Sequence, residues 1–188
     1  MSIAAVVLAA GASTRLGELK QLVMFANETL LGRAVRMARE AGCSPVIVIL
    51  GAEAEAVRAR SSLGDAVIVV NGGWEEGMAS SVRLGVQTCR LIAGKAEGVL
   101  LMTCDQPAVT VQHLQLLMSG GEVKASRYAG RNGVPAFFPA QSFNQLLSLT
   151  GDVGARSLLA SADAVELPDG ELDVDTAEDL ARARELFG

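Results

Sequence analysis

Two fixed cations five positions apart, Arg15 and Lys20, lie in and just after a run of small residues, Leu8-Ala9-Ala10-Gly11-Ala12-Ser13, that follows a short apolar stretch. Small side chains let backbone N–H groups close on an oxyanion. A guanidinium and an ammonium then offset charge that amides alone would not hold, so the pattern points to a polyphosphate. An ordinary strand-to-loop turn with two solvated cations would carry the same residues, and the loop alone does not decide between the two. It is neither a Walker loop, which needs GxxxxGK[ST], nor the GxGxxG fingerprint that opens directly into a helix. Two aspartates are candidates for a divalent ion. Asp105 follows the apolar run Gly98 to Met102, which puts it at the carboxyl end of a strand, where open α/β sheets place their ligands. Gln106-Pro107 restricts its direction, because the residue before proline is pushed out of the helical region. Asp175 precedes the last helical stretch. Each has a structural alternative: a turn or capping aspartate at Asp105, and favourable charge at a helix N-terminus at Asp175. Asp173 is an alternative to Asp175; strand alternation would aim only one of them at a shared site, and Asp175 is favoured. Two carboxylates bridged by a triphosphate form the incomplete oxygen cage that Mg²⁺ accepts while keeping some waters.

Other candidates are read with their alternatives beside them. Gly72-Gly73 and Ser80-Ser81 fall on a loop after the third apolar run, where amides and hydroxyls could read the edge of a base or form a flexible turn with N-cap serines. Trp74 is read as a packing residue. Arg156 could grip an anionic acceptor or be a surface arginine on a helix. Cys104 is a small buried neighbour of Asp105 rather than a nucleophile. His113, the single histidine, is read as lying on a helix surface, since phosphoryl chemistry of this kind needs no imidazole. One histidine also excludes a multi-histidine zinc site.

The elements that must hold these residues follow from the apolar pattern. Ile3 to Leu8 reads as a buried parallel strand, with further strands at Val46 to Leu50, Ala66 to Val70 and Gly98 to Met102. Helical spacing covers Thr29 to Ala41, Glu53 to Arg60, Met78 to Leu91 and Thr110 to Met118. Alternating βα units with near-continuous apolar strands predict a three-layer, doubly wound α/β fold with a mostly parallel sheet. Past Gly121 the pattern loosens: Val123 to Tyr128, a polar loop through Gly133, a run over Val134 to Phe138, helices near Gln141 to Leu149 and Gly154 to Ala160, then Ala164 to Leu167. This stretch predicts a small mixed or antiparallel extension. Thr176 to Leu186 reads as a final helix capped by Thr176. At 188 residues the chain is read as one domain, with a nucleotide-binding half over 1–120 and an acceptor-binding half over 121–188. A net charge of −5 offers no broad cationic face for nucleic acid. Three cysteines without a CxxC pair suit a reducing, cytoplasmic setting, and the apolar opening lacks the basic flank of a signal peptide and the length of a membrane span.

The order LAAGxSxRxGxxKQL, carrying Arg15 and Lys20, resembles the signature of molybdenum-cofactor-type nucleotidyltransferases, and the resemblance continues along the chain. Gly77-Met78-Ala79-Ser80-Ser81-Val82 matches the family's Gly-Met-small-Ser-Ser stretch, Cys104-Asp105-Gln106-Pro107 its CDQP, and Asp173 to Leu180 its DxDTxEDL. The resemblance implies a Rossmann-like fold and transfer of a nucleoside monophosphate from a triphosphate to a phosphate-bearing acceptor, with Mg²⁺ as cofactor. It implies Arg15, Lys20 and Asp105 as catalytic residues, and Asp105 with Asp175 as metal ligands. It gives Leu8, Ala9, Ala10, Gly11, Gly73 and Ser81 nucleotide contacts. Gly151-Asp152-Val153-Gly154-Ala155-Arg156 resembles the family's GDxGAR, and Asn132-Gly133-Val134-Pro135 occupies its GxP position. Gly133, Asp152 and Arg156 therefore face the acceptor. Leu-Ala-Ala-Gly with CDQP is the cytidylyl pairing, whereas guanylyl members carry Leu-Ala-Gly-Gly and another residue in place of Gln106. CTP and molybdopterin cofactor are the implied substrates, with a receiving molybdoenzyme or its chaperone as a further partner. The alternatives are GTP as donor, another acceptor such as a sugar phosphate or methylerythritol phosphate, and a non-catalytic nucleotide-binding module.

Overall fold

Seven residues without a charge, Ile3–Ala9, form β1, and alternate side chains feed two separate cores. Ala5, Val7 and Ala9 enter one, while Ala4, Val6 and Leu8 enter the other. This is the pattern of a strand buried on both faces. The computed structural model describes residues 2–13, 15–152 and 154–188; Met1, Thr14 and Val153 lie outside them, the last two within motifs noted above. β4 (Val46–Leu50) and β6 (Gly98–Thr103) flank β1 in parallel, and β5 (Val67–Val70) pairs in parallel with β4. Beyond β6 come β8 (Arg131–Pro139), antiparallel to it, then β7 (Lys124–Tyr128) and β9 (Asp163–Glu166). The order is β5-β4-β1-β6-β8-β7-β9, with β8 alone running against the others. The mostly parallel sheet and the mixed extension are as the sequence predicts.

Helices cover both faces. The first core is closed by α1 (Leu30–Glu40), α2 (Ala54–Arg60) and α4 (Val111–Met118). The second is closed by α3 (Met78–Ala93), α5 (Phe143–Leu147) and α6 (Arg156–Leu159). α3 lies very close to the sheet: a Cβ on Gly85 would stand 2.4 Å from Cγ1 of Val6. No helix among the described residues is long and apolar enough to cross a membrane.

The differences from the sequence reading cluster at the ends of the sheet. Gly133 is not in a loop. It belongs to β8, which returns from β7 through a two-residue turn in which Ala129 and Gly130 both take positive φ, 47° and 73°. That geometry matches the twist of the flanking strands and starts the hairpin earlier than the apolar run does. Ser80 and Ser81 sit in the first turns of α3 rather than in the preceding loop. His113 is buried, not on a surface: its Nε2 lies 2.7 Å from Ser126 Oγ, which in turn donates to the carbonyl of Pro135 at 2.6 Å. A polar partner inside the fold removes the cost that a lone buried imidazole would carry.

A small third core has no clear sequence signal. The hairpin of β2 (Met24–Phe25) and β3 (Glu28–Thr29) contributes Phe25. Its side chain packs with Val23, Leu30, Leu172, Val174 and two residues, Leu180 and Ala183, of the last helix, α7 (Ala177–Phe187), with Leu16 against the cluster. The stretch after β1 is thereby fastened to the acidic segment before α7.

Gly85→Ala forces a methyl group against a β-branched side chain that cannot swing aside. Such overpacking costs about 1–3 kcal/mol, and the helix-propensity gain of about 1 kcal/mol offsets only part of it. Urea unfolding is expected to show a net loss of about 1 kcal/mol; unchanged or increased stability would contradict the close approach of α3 to β1.

Candidate functional site

The loop after β1 is wound around one buried side chain. Gln21 Nε2 donates to the carbonyls of Ala9 and Gly11, each at 2.9 Å, and its Oε1 accepts from Ser13 Oγ at 3.4 Å. Ser13 Oγ also accepts from the backbone N–H of Lys20 at 3.1 Å. These bonds satisfy loop carbonyls that burial would otherwise penalise, and they fix where the Lys20 side chain starts. Gln21 stands next to Lys20 in the KQL of the motif, but its polar type gives no sign that it is fully buried.

The carboxylates come from later in the chain, Asp105 from the exit of β6 and Asp173 and Asp175 from the segment before α7. The backbone N–H of Val174 donates to the carbonyl of Asp105 at 2.9 Å, so the segment carrying Asp173 and Asp175 lies alongside the exit of β6. Leu172 and Val174 are anchored in the third core. Past Asp175 a capping box closes α7: Thr176 Oγ1 accepts from Asp179 N–H at 3.2 Å, and Asp179 Oδ2 accepts from Thr176 N–H at 2.9 Å. Asp179 therefore serves the helix terminus, as its position in the first turn implies.

These two pieces of chain meet at Lys20. Its Nζ is 2.5 Å from Asp105 Oδ2 and 3.0 Å from Asp175 Oδ1, and Arg15 Nη2 is 2.6 Å from Asp175 Oδ2. Burial alone would lower the Lys20 ammonium, but the Asp105 carboxylate, helped by Asp175, raises it above the ordinary lysine range. Asp173 is not excluded by strand alternation, because residues 169–175 form no strand; it lines the same cleft as Asp175. Lost hydration, then the neighbouring Asp105 and Asp175 carboxylates, push its pKa from 3.8 to about 7.

Two cavities open on either side of this cluster and share Lys20, Met78, Thr103 and Asp105. The first, about 490 Å³, is walled by Leu8, Ala9, Ala10 and Gly11 from the loop and by Trp74 to Met78, Ser81 and Asp152 opposite. The second, about 310 Å³, holds Arg15, Gln106, Tyr128, Arg131, Gly133, Arg156, Asp173 and Asp175 among its lining. From the loop after β1 and the residues that follow it, Leu8, Ala9, Ala10, Gly11, Arg15 and Lys20 thus each line one cavity or the other. Asp152 falls in the first cavity, not with Gly133 and Arg156, and its Oδ1 accepts from the N–H of Met78 at 3.2 Å at the start of α3. Gly73 lines neither: its N–H goes to Asn71 Oδ1 at 3.0 Å and its carbonyl accepts from Ser80 Oγ at 3.1 Å. Asn71, not singled out in sequence, also donates to Ser80 and Ser81 and so orients the serine that faces the cavity. Trp74 forms cavity wall while packing on Gly51, where an added Cβ would come within 2.7 Å of it. Arg131 and Tyr128 were not anticipated either; the guanidinium lies 5.8 Å from the ring centroid.

Known proteins resemble this chain over most of its length. The model of the MobA-like NTP transferase domain matches residues 5–166. Nicotine blue oxidoreductase from Paenarthrobacter nicotinovorans is 34% identical, with 96% of this chain and 95% of that protein covered. Molybdenum cofactor cytidylyltransferase from Escherichia coli (strain K12) is 24% identical, with 99% and 97% covered. Among solved structures, Rv0371c from Mycobacterium tuberculosis H37Rv superposes with a TM-score of 0.83 at 34% identity over 98% of both chains. A complex of Rv0371c with manganese gives 0.80 at 33% identity, covering 99% of this chain and 100% of that one.

The raised Asp173 sets a pH dependence. The folded chain holds that proton more tightly than the unfolded chain, so this group's contribution to stability falls as pH rises from 3.8 towards about 7. The side chain still opens to solvent, which keeps the effect small. In metal-free protein, Asp173→Asn is expected to raise the melting temperature at pH 8 relative to the parent and to leave it nearly unchanged at pH 4. A drop at pH 8 would show that the ionised carboxylate is stabilising.

Proposed function

The chain belongs to the MobA-like NTP transferase family, and we propose that it transfers CMP from CTP to the terminal phosphate of molybdopterin cofactor, releasing pyrophosphate. The observation that carries this reading is the convergence of Lys20 on Asp105 and Asp175, at 2.5 and 3.0 Å, where the two cavities join. The first cavity takes the nucleotide and the second the acceptor. Residues 1–120 supply most of the former and 121–188 most of the latter, meeting within one domain.

The donor set fits a hard divalent cation. One oxygen from each of two aspartates already converges on a single cationic atom, and carboxylate oxygens suit Mg²⁺ or Mn²⁺. Among the described residues no group of three or more His, Cys, Asp or Glu side chains is gathered at metal-binding spacing. The remaining ligands would therefore come from phosphate and water. Asp105 and Asp175 would hold Mg²⁺, which when bound supplies polarisation of the α-phosphate.

The rest of the work falls to the chain's own groups. Lys20 and Arg15 bind the triphosphate and offset the charge that gathers on departing pyrophosphate. An acceptor phosphate oxygen, already anionic near pH 7, forms the new bond to the α-phosphorus as the bond to the β-phosphate oxygen breaks. No protein nucleophile is needed, in keeping with Cys104, whose thiol burial pushes up to about 12. Catalysis is then positioning plus charge stabilisation. Arg156 and Gly133 line the acceptor side. Gln106, part of the cytidylyl resemblance, lines that side too, so Ala10 on the first cavity carries the steric preference for a pyrimidine. The three cysteines are free and buried, and we place the protein in the cytoplasm, with a molybdoenzyme or its chaperone receiving the product.

Pyrophosphate release measured with CTP, GTP, ATP and UTP, in the presence of Mg²⁺ and molybdopterin cofactor, is expected to be fastest with CTP. Lys20→Ala and Asp105→Ala should each lower the rate about a hundredfold. Faster release with a sugar phosphate or methylerythritol phosphate would reassign the acceptor. Nucleotide binding without turnover on any acceptor would overturn the reaction.

A further inference from the structure

Lys20 is held by the same two carboxylates to which the divalent ion was assigned. Its Nζ lies 2.5 Å from Asp105 and 3.0 Å from Asp175, an ion-pair spacing that puts the ammonium between the two carboxylate oxygens. The side chain is only 17% exposed there, so the gap between the aspartates does not accommodate an ammonium and a divalent ion together. Neither aspartate depends on Lys20 for its backbone position. Asp105 is tied to Val174 through main chain, and Asp175 is followed directly by the α7 capping box. The main chain at both aspartates is thus held without help from the ammonium.

From this geometry we propose, building on the metal site assigned under the proposed function, that Lys20 is a placeholder for the divalent ion and makes binding ordered. Without nucleotide its ammonium fills the ion's position and keeps divalent cations out. The triphosphate draws Lys20 off the carboxylates, and the ion that arrives with the nucleotide takes the vacated oxygens. Asp105, Asp173 and Asp175 share the cleft with Lys20, Arg15, Arg131 and Arg156 beforehand, and the phosphates bring the negative charge that Lys20 moves to meet. By linkage, nucleotide raises the ion's affinity by the same factor by which the ion raises the nucleotide's. A purely structural ion pair would stay in place throughout.

Mn²⁺ binding to nucleotide-free protein, followed by the paramagnetic resonance signal of free Mn²⁺, tests this without any turnover. The parent is expected to bind weakly, Lys20→Met about tenfold tighter or more, and Lys20→Arg as weakly as the parent because its cation still pairs with the aspartates. Adding Asp105→Asn to Lys20→Met should abolish the gain. No gain in Lys20→Met overturns the placeholder role alone, whereas a gain that survives Asp105→Asn overturns the metal assignment beneath it. If Lys20→Met does not fold, ¹⁵N-lysine resonances of the parent decide the matter. The Lys20 ammonium signal should move on adding Mg²⁺ with CTP and stay fixed with Mg²⁺ alone; an equal shift with Mg²⁺ alone contradicts ordered binding.

Discussion

Everything at this site depends on one backbone hydrogen bond, Val174 N–H to Asp105 C=O at 2.9 Å. It lays a segment from near the end of the chain against the exit of the strand beside β1, and it is what puts Asp173 and Asp175 within range of Lys20. A hydrogen bond contributes about 1 kcal/mol net, too little to hold three like charges together. The third core supplies the rest. Leu172 and Val174 are buried with Phe25 and Leu30, so the acidic segment is anchored by apolar contacts on one side while its carboxylates face the cleft on the other.

The electrostatics follow from that placement. Three carboxylates, Asp105, Asp173 and Asp175, share a cleft with Lys20 and the exposed Arg15. The raised pKa of Asp173 comes first from lost hydration and then from the neighbouring Asp105 and Asp175 carboxylates. Arg131 and Arg156 line the same cleft, which therefore has four cations beside three carboxylates in its lining. As proposed, Asp105 and Asp175 would take the divalent ion, and Lys20 and Arg15 would then serve phosphate.

Much of this arrangement was legible in sequence because it rests on strand-end positions. Arg15, Lys20 and Asp105 follow apolar strands, and a parallel sheet brings strand ends to one edge whatever the details of packing. Asp175 was legible through Thr176, whose cap fixed the start of α7. The C-terminal half was harder to read. Gly133 seemed to lie in a loop because the positive φ at Ala129 carries no residue signature, and alanine gives no warning of a left-handed turn. Reading residues 173–175 as a strand made Asp173 and Asp175 exclusive, whereas a coil held by Val174 leaves both on the cleft. Gln21 and Asn71 were not singled out, and His113 was read as a surface residue, because a polar side chain looks exposed until the partners that satisfy it are known. Those partners, Ala9 and Gly11, Ser80 and Ser81, and Ser126, are set by tertiary contact alone. Asp152 and Gly73 show the limit of motif correspondence, since a motif gives proximity to a site but not the cavity that a side chain enters.

The claim beneath all of this is that Asp105 and Asp175 hold one divalent ion while Lys20 and Arg15 hold the triphosphate. Anomalous diffraction from crystals containing Mn²⁺ and a non-hydrolysable CTP analogue tests it most directly. The account requires a manganese peak between Asp105 and Asp175, with the base in the cavity walled by Ala10 and Ser81 and the Lys20 ammonium on phosphate oxygen. A peak elsewhere, or a nucleotide seated against Arg131 and Arg156 with Lys20 still between the aspartates, would contradict it.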